Sequence, residues 1–442
     1  MSRRRKRPDP HPVELSIDTL DADQRGIGMC GDRELRVAGA LPGERVKAVR
    51  VRSRGGYDEA RVAQVLVPSP DRVEPRCRYF GLCGACSLQH LSGDAQVRYR
   101  AERLFRVLEQ TGGVSPAAQL TPVTGHPWGY RRRARLGVRH VAKKGRVLVG
   151  FRERDAPYLA DMRSCEVLVP EAGYRLDSLS GLIGSLTILD RIPQVELAAG
   201  DNTVALVFRV LDPPTLDDRH RLAEFGLEHG FQIFLQTGGP GTIRPLDGTP
   251  PPLSYRLAAW DVEIQFEPGD FIQVNGAVNE QMVARALELL DLSPGARVLE
   301  LFSGLGNFTL PLARAGARVT AVEGDPGLVE RARSNAARNG LRDRVDLHSA
   351  DLFESCRDAP WINEHYDAAF LDPPRAGARR VLEQLAARSP ARIVYVSCNP
   401  ETLATDAGML VRRFGYTLAA AGVMDMFPHT GHLESIALLE AA

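Results

Sequence analysis

The run RVLELFSGLGNF (297–308) decides the fold. Its first half is a short, almost continuously apolar strand, and its second half is a glycine-bearing turn that opens a helix, FTLPLARA (308–315). Downstream the same alternation repeats: RVTAVE (318–323), a helix-like GLVERARSNAARNG (327–340), VDLHSAD (345–351), YDAAFLD (366–372), RRVLEQLAARS (379–389), RIVYVS (392–397) and LATDAGMLVRRF (403–414). Apolar strands alternating with amphipathic helices predict a parallel, doubly wound, Rossmann-like α/β sheet. In such sheets ligands sit outside the carboxyl ends of the strands.

Those strand ends carry chemistry. Gly304 and Gly306 let the backbone approach a ligand, the next strand ends in Glu323, the third in Asp351 and the fourth in Asp372-Pro373-Pro374. Glu323 is placed to hold ribose hydroxyls. A GxG pair alone also fits an ordinary tight turn, and the third glycine of the dinucleotide fingerprint is missing. Carboxylates at three successive strand ends repel phosphates and suit a sulfonium nucleoside, so S-adenosylmethionine fits this cleft better than NAD.

The fifth strand runs into Ser397-Cys398-Asn399-Pro400, which puts a thiol where the chain leaves the sheet. A cysteine in an apolar strand is commonly inert filler; one at the carboxyl edge is positioned like a nucleophile. A thiolate adding to C6 of uracil generates an enolate whose C5 can accept a methyl group, after which a base must remove the C5 proton. MFPHTGHLE (426–434) supplies the base candidates, with Glu434 foremost and His429 and His432 as competitors.

Further out the chain changes character. Residues 13–67 alternate short β-like runs with Gly/Pro punctuation and predict a small β-barrel, with Pro42-Gly43 suited to a type II turn. A cysteine knuckle follows, then a helical stretch from about 95 to 110. Strand-like runs at 134–141, 147–151, 204–210 and 231–236 suggest a mixed α/β middle. The net charge of +1 conceals an asymmetry: residues 1–150 hold 29 Lys+Arg against 15 Asp+Glu, leaving 27 against 40 for the remainder. The basic front, including Arg3 to Arg7 and Arg131-Arg132-Arg133, suits a polyanion such as RNA, although abundant arginine and a solvated strand end are the plainer readings. No run approaches the roughly 20 apolar residues of a membrane span, and the basic amino terminus has no apolar segment behind it. A cytoplasmic, monomeric protein of two or three domains is expected.

Of seven cysteines, Cys77, Cys83 and Cys86 share one Gly-rich loop and Cys165 lies far downstream. The spacing is not a paired CxxC zinc ribbon. Three thiols on one knuckle and a distant fourth suit a [4Fe–4S] cluster, with a zinc site or idle thiols as alternatives. Cys30 and Cys356 read as packing.

DPPRAG (372–377), SCNPETLATD (397–406), MFPHTGHLE (426–434), FIQVN (271–275) and ELFSGLGNFTLPLA (300–313) together resemble the RNA uracil-C5 methyltransferase family. The resemblance implies Cys398 as nucleophile, Glu434 as general base, and a cofactor site including Gln273, Phe302, Asn307, Glu323, Asp372 and Asp351. Phe271 is placed to stack on a flipped base. A TRAM-type barrel together with the cysteine set resembles the branch that modifies 23S rRNA, so 23S rRNA or its precursor is the expected substrate. The implied domains are a basic arm (1–12), the barrel (13–69), a central iron–sulfur domain (70–93 and 128–268) and the methyltransferase domain (94–127 and 269–442). The rival readings are the same chemistry on tRNA or another rRNA uridine, an amino-methyltransferase built on the Asp-Pro-Pro strand end, and a non-catalytic RNA-binding protein. Arg375 after the prolines, where amino-methyltransferases carry an aromatic, disfavours the second.

Overall fold

A computed structural model describes residues 11–441; the basic run 3–7 lies outside the described residues. Two compact units emerge, one comprising the chain up to Arg98 with Arg152–Ala160 and Pro428–Gly431, the other Tyr99–Phe151, Asp161–Phe427 and the residues from His432 onward.

The first unit carries a six-stranded sheet made from Val13–Ser16, Thr19–Leu20, Gly26–Cys30, Arg33–Ala38, Arg45–Ser53 and Tyr57–Val67. Alternating residues Leu35 and Val37, and Val46 and Ala48, turn inward and form its core with Leu15 and Ile17. Pro42-Gly43 makes the expected turn: Gly43 has φ +80° and Glu44 N donates to Leu41 O at 3.2 Å.

In the second unit, residues 133–245 include a mixed six-stranded sheet of Arg133–Val141, Arg146–Gly150, Gln194–Ala199, Val204–Arg209, Phe231–Gln236 and Ile243–Pro245. Four of these were expected. Gln194–Ala199, at the centre of the sheet, was not.

The larger sheet has eight strands. In chain order they are β1 (Ala118–Gln119), β2 (Arg297–Leu301), β3 (Arg318–Glu323), β4 (Val345–Ser349), β5 (Ala368–Leu371), β6 (Arg392–Ser397), β7 (Tyr416–Met424) and β8 (Glu434–Ala441). Their spatial order is β4-β3-β2-β5-β6-β8-β7-β1. The first five in that order are parallel, so the winding reverses between β2 and β5 and opens a crevice above the end of β2. β8 enters antiparallel between β6 and β7.

The helices that cover this sheet start on caps set by sequence. Asn275 caps α1 (Gly276–Leu290), Asp325 caps α2 (Pro326–Arg338) and Asn399 caps α3 (Pro400–Phe414), each accepting from backbone N–H groups of the first turn. Proline at the first helical position of α2 and α3 reinforces the start. On α1, Val278, Met282, Val283, Ala286 and Leu290 recur on one face and pack with Val298, Phe370, Val394 and Ile436 of the sheet. Among the described residues no helix is long and apolar enough to cross a membrane.

Candidate active site

The parallel strands deliver their last residues to one edge. There a cavity of about 610 Å³ is lined by Phe271, Gln273, Phe302, Asn307, Glu323, Asp351, Asp372, Cys398 and Glu434. Cys398, Glu434 and the six nominated cofactor residues are thus brought together, with the flipped-base candidate Phe271, 68% exposed, among them.

The pairing of Cys398 with Glu434 follows from register. β6 and β8 are antiparallel with Ser397 opposite Ser435, so Cys398 and Glu434 stand one step beyond that pair at the carboxyl edge. Ser435 Oγ donates to Ser397 O at 3.1 Å and closes this end of the ladder. The turn after Cys398 is tied down as well, since Asn399 Nδ2 donates to Arg375 O at 2.9 Å. Deeper in, Asp406 of α3 accepts from Ala378 N (3.0 Å) and from Tyr395 OH (2.9 Å), fixing the loop that carries Arg375.

Electrostatics set the resting proton inventory. Burial, with Glu434 and Asp372 adding to it, pushes the Cys398 thiol up to about 11, while Arg375 opposes the shift. Burial also raises Glu434 well above the usual carboxylate range, again with Asp372 adding and Arg375 opposing. Asp372 itself is pushed up to about 7 by burial, and the fully buried Glu300 beneath the crevice to about 8. A cavity crowded with carboxylates in a low-dielectric setting favours a cation.

The cofactor-side residues are held in distinct ways. Glu323 spans two turns, accepting from Gly304 N and Asp325 N, both at 3.0 Å. Phe302 occupies left-handed backbone space at φ +64°, which aims its ring across the crevice toward Phe353 at a centroid distance of 5.8 Å. Asn307 is clamped: its Oδ1 accepts from Tyr255 OH and Asn279 Nδ2, and its Nδ2 donates to Asn279 Oδ1, each at 2.9 Å. Gln273 Nε2 donates to Asp372 Oδ2 at 3.2 Å. Asp351 is exposed at the rim and caps its own turn by accepting from Phe353 N. Three carboxylates beside two aromatic rings and Leu328 and Leu352 fit a cationic nucleoside.

Several participants escaped the sequence reading. Phe353 closes the aromatic pair, and Tyr255 and Asn279 orient Asn307. Arg375 Nη2 donates to His432 Nδ1 at 3.0 Å. Burial and the neighbouring Arg375, Arg131 and Arg100 cations lower His432 below the ordinary imidazole value, which keeps it neutral and an acceptor. His432 lines the cavity; His429 does not, its backbone and ring being bonded to Gln96 inside the first unit.

The arginine triplet divides. Arg133 donates to Pro268 O and Gly269 O and is largely buried, the behaviour of a structural brace. Arg132 pairs with Asp201 at 2.7 Å. Arg131 donates to Arg133 O and is one of the cations facing His432.

The cysteine set has a different standing. Cys77, Cys83 and Cys86 lie on one loop of the first unit, where Phe80 N donates to Cys77 O, Cys83 N to Tyr79 O and Gly84 N to Arg152 O. Burial raises the Cys83 thiol, with Cys77 adding and Arg154 opposing. Cys165 belongs to the second unit. Among the described residues no group of three or more His, Cys, Asp or Glu side chains forms a metal-holding cluster.

Comparison with known proteins bears on the whole chain. Residues 254–442 match the family described as tRNA (uracil-5-)-methyltransferase. A 23S rRNA (uracil(1939)-C(5))-methyltransferase RlmD of Alkalilimnicola ehrlichii is 52% identical over 441 residues, covering all of this chain and 99% of that protein. The RlmD of Stenotrophomonas maltophilia strain K279a is 50% identical over the full length of both. Among solved structures, the Pyrococcus abyssi tRNA (uracil-54, C5)-methyltransferase in complex with S-adenosyl-L-homocysteine superposes with a TM-score of 0.75, covering 97% of this chain and all of that one; at 24% identity it supports the fold. Identity of about one residue in two from end to end, in a chain whose sheet register sets Glu434 beside Cys398, means that this chain belongs to the RNA (uracil-C5)-methyltransferase family.

Proposed function

We propose that this enzyme transfers a methyl group from S-adenosylmethionine to C5 of a uridine in 23S rRNA, with Cys398 as nucleophile and Glu434 as base. The observation that carries the reading is the Cys398–Glu434 pair at the floor of an acidic, aromatic-walled cavity. The substrate assignment rests on the full-length RlmD relatives.

The cavity residues suit the cofactor. Glu323 would take the ribose, Phe302 and Phe353 the adenine, and Asp372 the sulfonium side. S-adenosylmethionine bound there supplies an electrophilic methyl group. The chain's own residues then act on the base. A uracil presented in the cavity must be unstacked, and Phe271 at the mouth offers an aromatic surface for it. The Cys398 thiol gives up its proton to solvent as Sγ bonds to C6, and the C5=C6 electron pair spreads over C5 and O4 as an enolate. Arg375 supports this charge, held in place by neutral His432. Once C5 carries the methyl group, Glu434 removes the C5 proton; the released pair restores C5=C6 and expels Cys398 Sγ.

The resting proton inventory gives a sign. Glu434 must be a carboxylate to act, and its folded environment raises it, so turnover falls as pH drops through a point well above the usual carboxylate range. The six-stranded amino-terminal sheet is read as the RNA-gripping barrel of a cytoplasmic monomer, and the four cysteines as iron–sulfur ligands on residue type and spacing alone.

The test is methyl transfer from labelled S-adenosylmethionine to deproteinised 23S rRNA, 16S rRNA and tRNA, followed by nucleoside analysis. Label in 5-methyluridine from 23S rRNA, lost in Cys398→Ala, is the expected result. Label from tRNA would overturn the substrate assignment, and label in methyladenosine or methylcytidine would overturn the mechanism.

A further inference from the structure

A second cavity, of about 460 Å³, shares a chain segment with the first: Phe271 and Gln273 line the catalytic cavity, while Asn275 and Gly276 line the other. Its remaining walls include Trp128, Arg132 and Asp201. We propose that this cavity is a nucleobase subsite that holds a guanine of the RNA close in sequence to the target uridine. The inference rests on the reading of the chain as an RNA methyltransferase.

The polar groups select the base. Asn275 is 2% exposed, and its Oδ1 accepts from Val278 N at 3.3 Å, which fixes the amide's orientation. Its buried Nδ2 has no hydrogen-bond partner among the described residues. Buried amide donors are rarely left unpaired, so this one points to an acceptor brought by a ligand. Arg132 lies over the start of α1, where a Cβ on Gly276 would come within 2.6 Å of its guanidinium carbon; glycine there makes room for the cation. Arg132 is paired with Asp201 at 2.7 Å, so the cavity offers donors and a carboxylate acceptor side by side.

That pattern disfavours a phosphate, because Asp201 offsets Arg132 and Glu171 adds a second carboxylate. Guanine matches it. Its N1–H and N2–H₂ suit a carboxylate, while O6 and N7 suit the amide and guanidinium donors. Adenine has no keto oxygen, cytosine no ring N–H, and uracil only one N–H between two acceptors. Trp128 supplies a face for stacking, the usual way proteins hold splayed RNA bases. Because Arg132 N donates to Val274 O at 2.9 Å, the wall of this cavity is stitched to the segment that carries Phe271 and Gln273. An anchored guanine would therefore set the register at which a neighbouring uridine reaches Cys398.

The experiment uses the full-length protein and a short RNA that it methylates, with each guanosine replaced in turn by inosine, which lacks only the 2-amino group. KM and kcat are measured, along with Kd by fluorescence anisotropy without turnover. For one guanosine, inosine should raise KM and Kd about tenfold while kcat holds within about twofold. Asp201→Asn should raise both for the parent RNA and be indifferent to that inosine; it keeps an acceptor for Arg256 N, so the local fold is retained. Trp128→Ala should weaken binding to every RNA in the set.

Equal Kd for all inosine variants would overturn the proposal. So would competition by free GMP with no inosine effect, since the cavity would then serve a free guanine nucleotide. If the wild-type protein methylated none of these RNAs, the proposed reaction would fall, while the Kd series would still decide the cavity.

Discussion

The catalytic cleft and the cysteine loop were both nominated by residue type and spacing, and they differ in how the chain presents their residues. In the cleft, nine nominated side chains converge because the rules of the sheet deliver them: parallel strands end at one edge, and one antiparallel strand returns its first residue to that edge. In the cysteine loop, three thiols are neighbours in sequence and the fourth lies in another unit, with no metal-holding cluster among the described residues. Convergence guaranteed by topology is a stronger argument than proximity along the chain.

The largest effect expected from this contrast is at Cys398. Cys398→Ala should lower methyl transfer by at least about 10⁴-fold while leaving S-adenosylmethionine binding within about threefold, as measured by single-turnover label transfer and equilibrium dialysis. Retention of more than a hundredth of the activity would remove the cleft's privileged status.

Glu434→Gln comes next, with a loss of about 10²–10⁴-fold. The diagnostic is the species that builds up. With C5 deprotonation blocked, an RNA–protein adduct stable to denaturing electrophoresis should accumulate, whereas a variant impaired in binding would show none.

Asp372 provides a graded test. Burial pushes its carboxyl group up to about 7, and a bound sulfonium favours the ionised form. Below that pH, binding must displace a proton, so S-adenosylmethionine affinity should fall about tenfold per pH unit and level off above it. The neutral thioether product should show a flatter profile, and so should Asp372→Asn. Calorimetry from pH 5.5 to 8.5 measures all three, and parallel profiles for the two ligands would remove Asp372 from the sulfonium side.

The smallest catalytic effect belongs to the other region. Cys83→Ser should change kcat by less than about threefold, since no chemical step uses that loop. Iron and sulfide content of anaerobically purified protein, compared between wild type and Cys83→Ser, tests the cluster itself. Stoichiometric iron lost in the variant would bring the two regions level, and wild-type protein free of iron would retire the cluster.

The legibility of the sequence follows the same division. Cys398, Glu323 and Asp372 could be read directly because each closes an apolar run, and a strand end is visible in one dimension. Glu434 could be nominated yet not placed, since its position depends on β8 running antiparallel into a gap between β6 and β7. The Arg375–His432 bond, the clamp of Tyr255 and Asn279 on Asn307, and the pairing of Phe353 with Phe302 were invisible, because each joins residues 28 to 57 positions apart with no local signature. The central strand Gln194–Ala199 was lost for another reason. Its LAA end lacks the β-branched and aromatic residues that mark strands, and tertiary packing overrides that weak local preference.

Phe302 carries a consequence for evolving or engineering this enzyme. A bulky residue held in left-handed backbone space costs about 1–2 kcal/mol relative to glycine. Selection for heat resistance alone would accordingly favour Phe302→Gly, and would dismantle one aromatic wall of the cleft in doing so. At this position thermostability and the proposed adenine contact are opposed, and a library sorted only by melting temperature would discard the ring assigned to that contact.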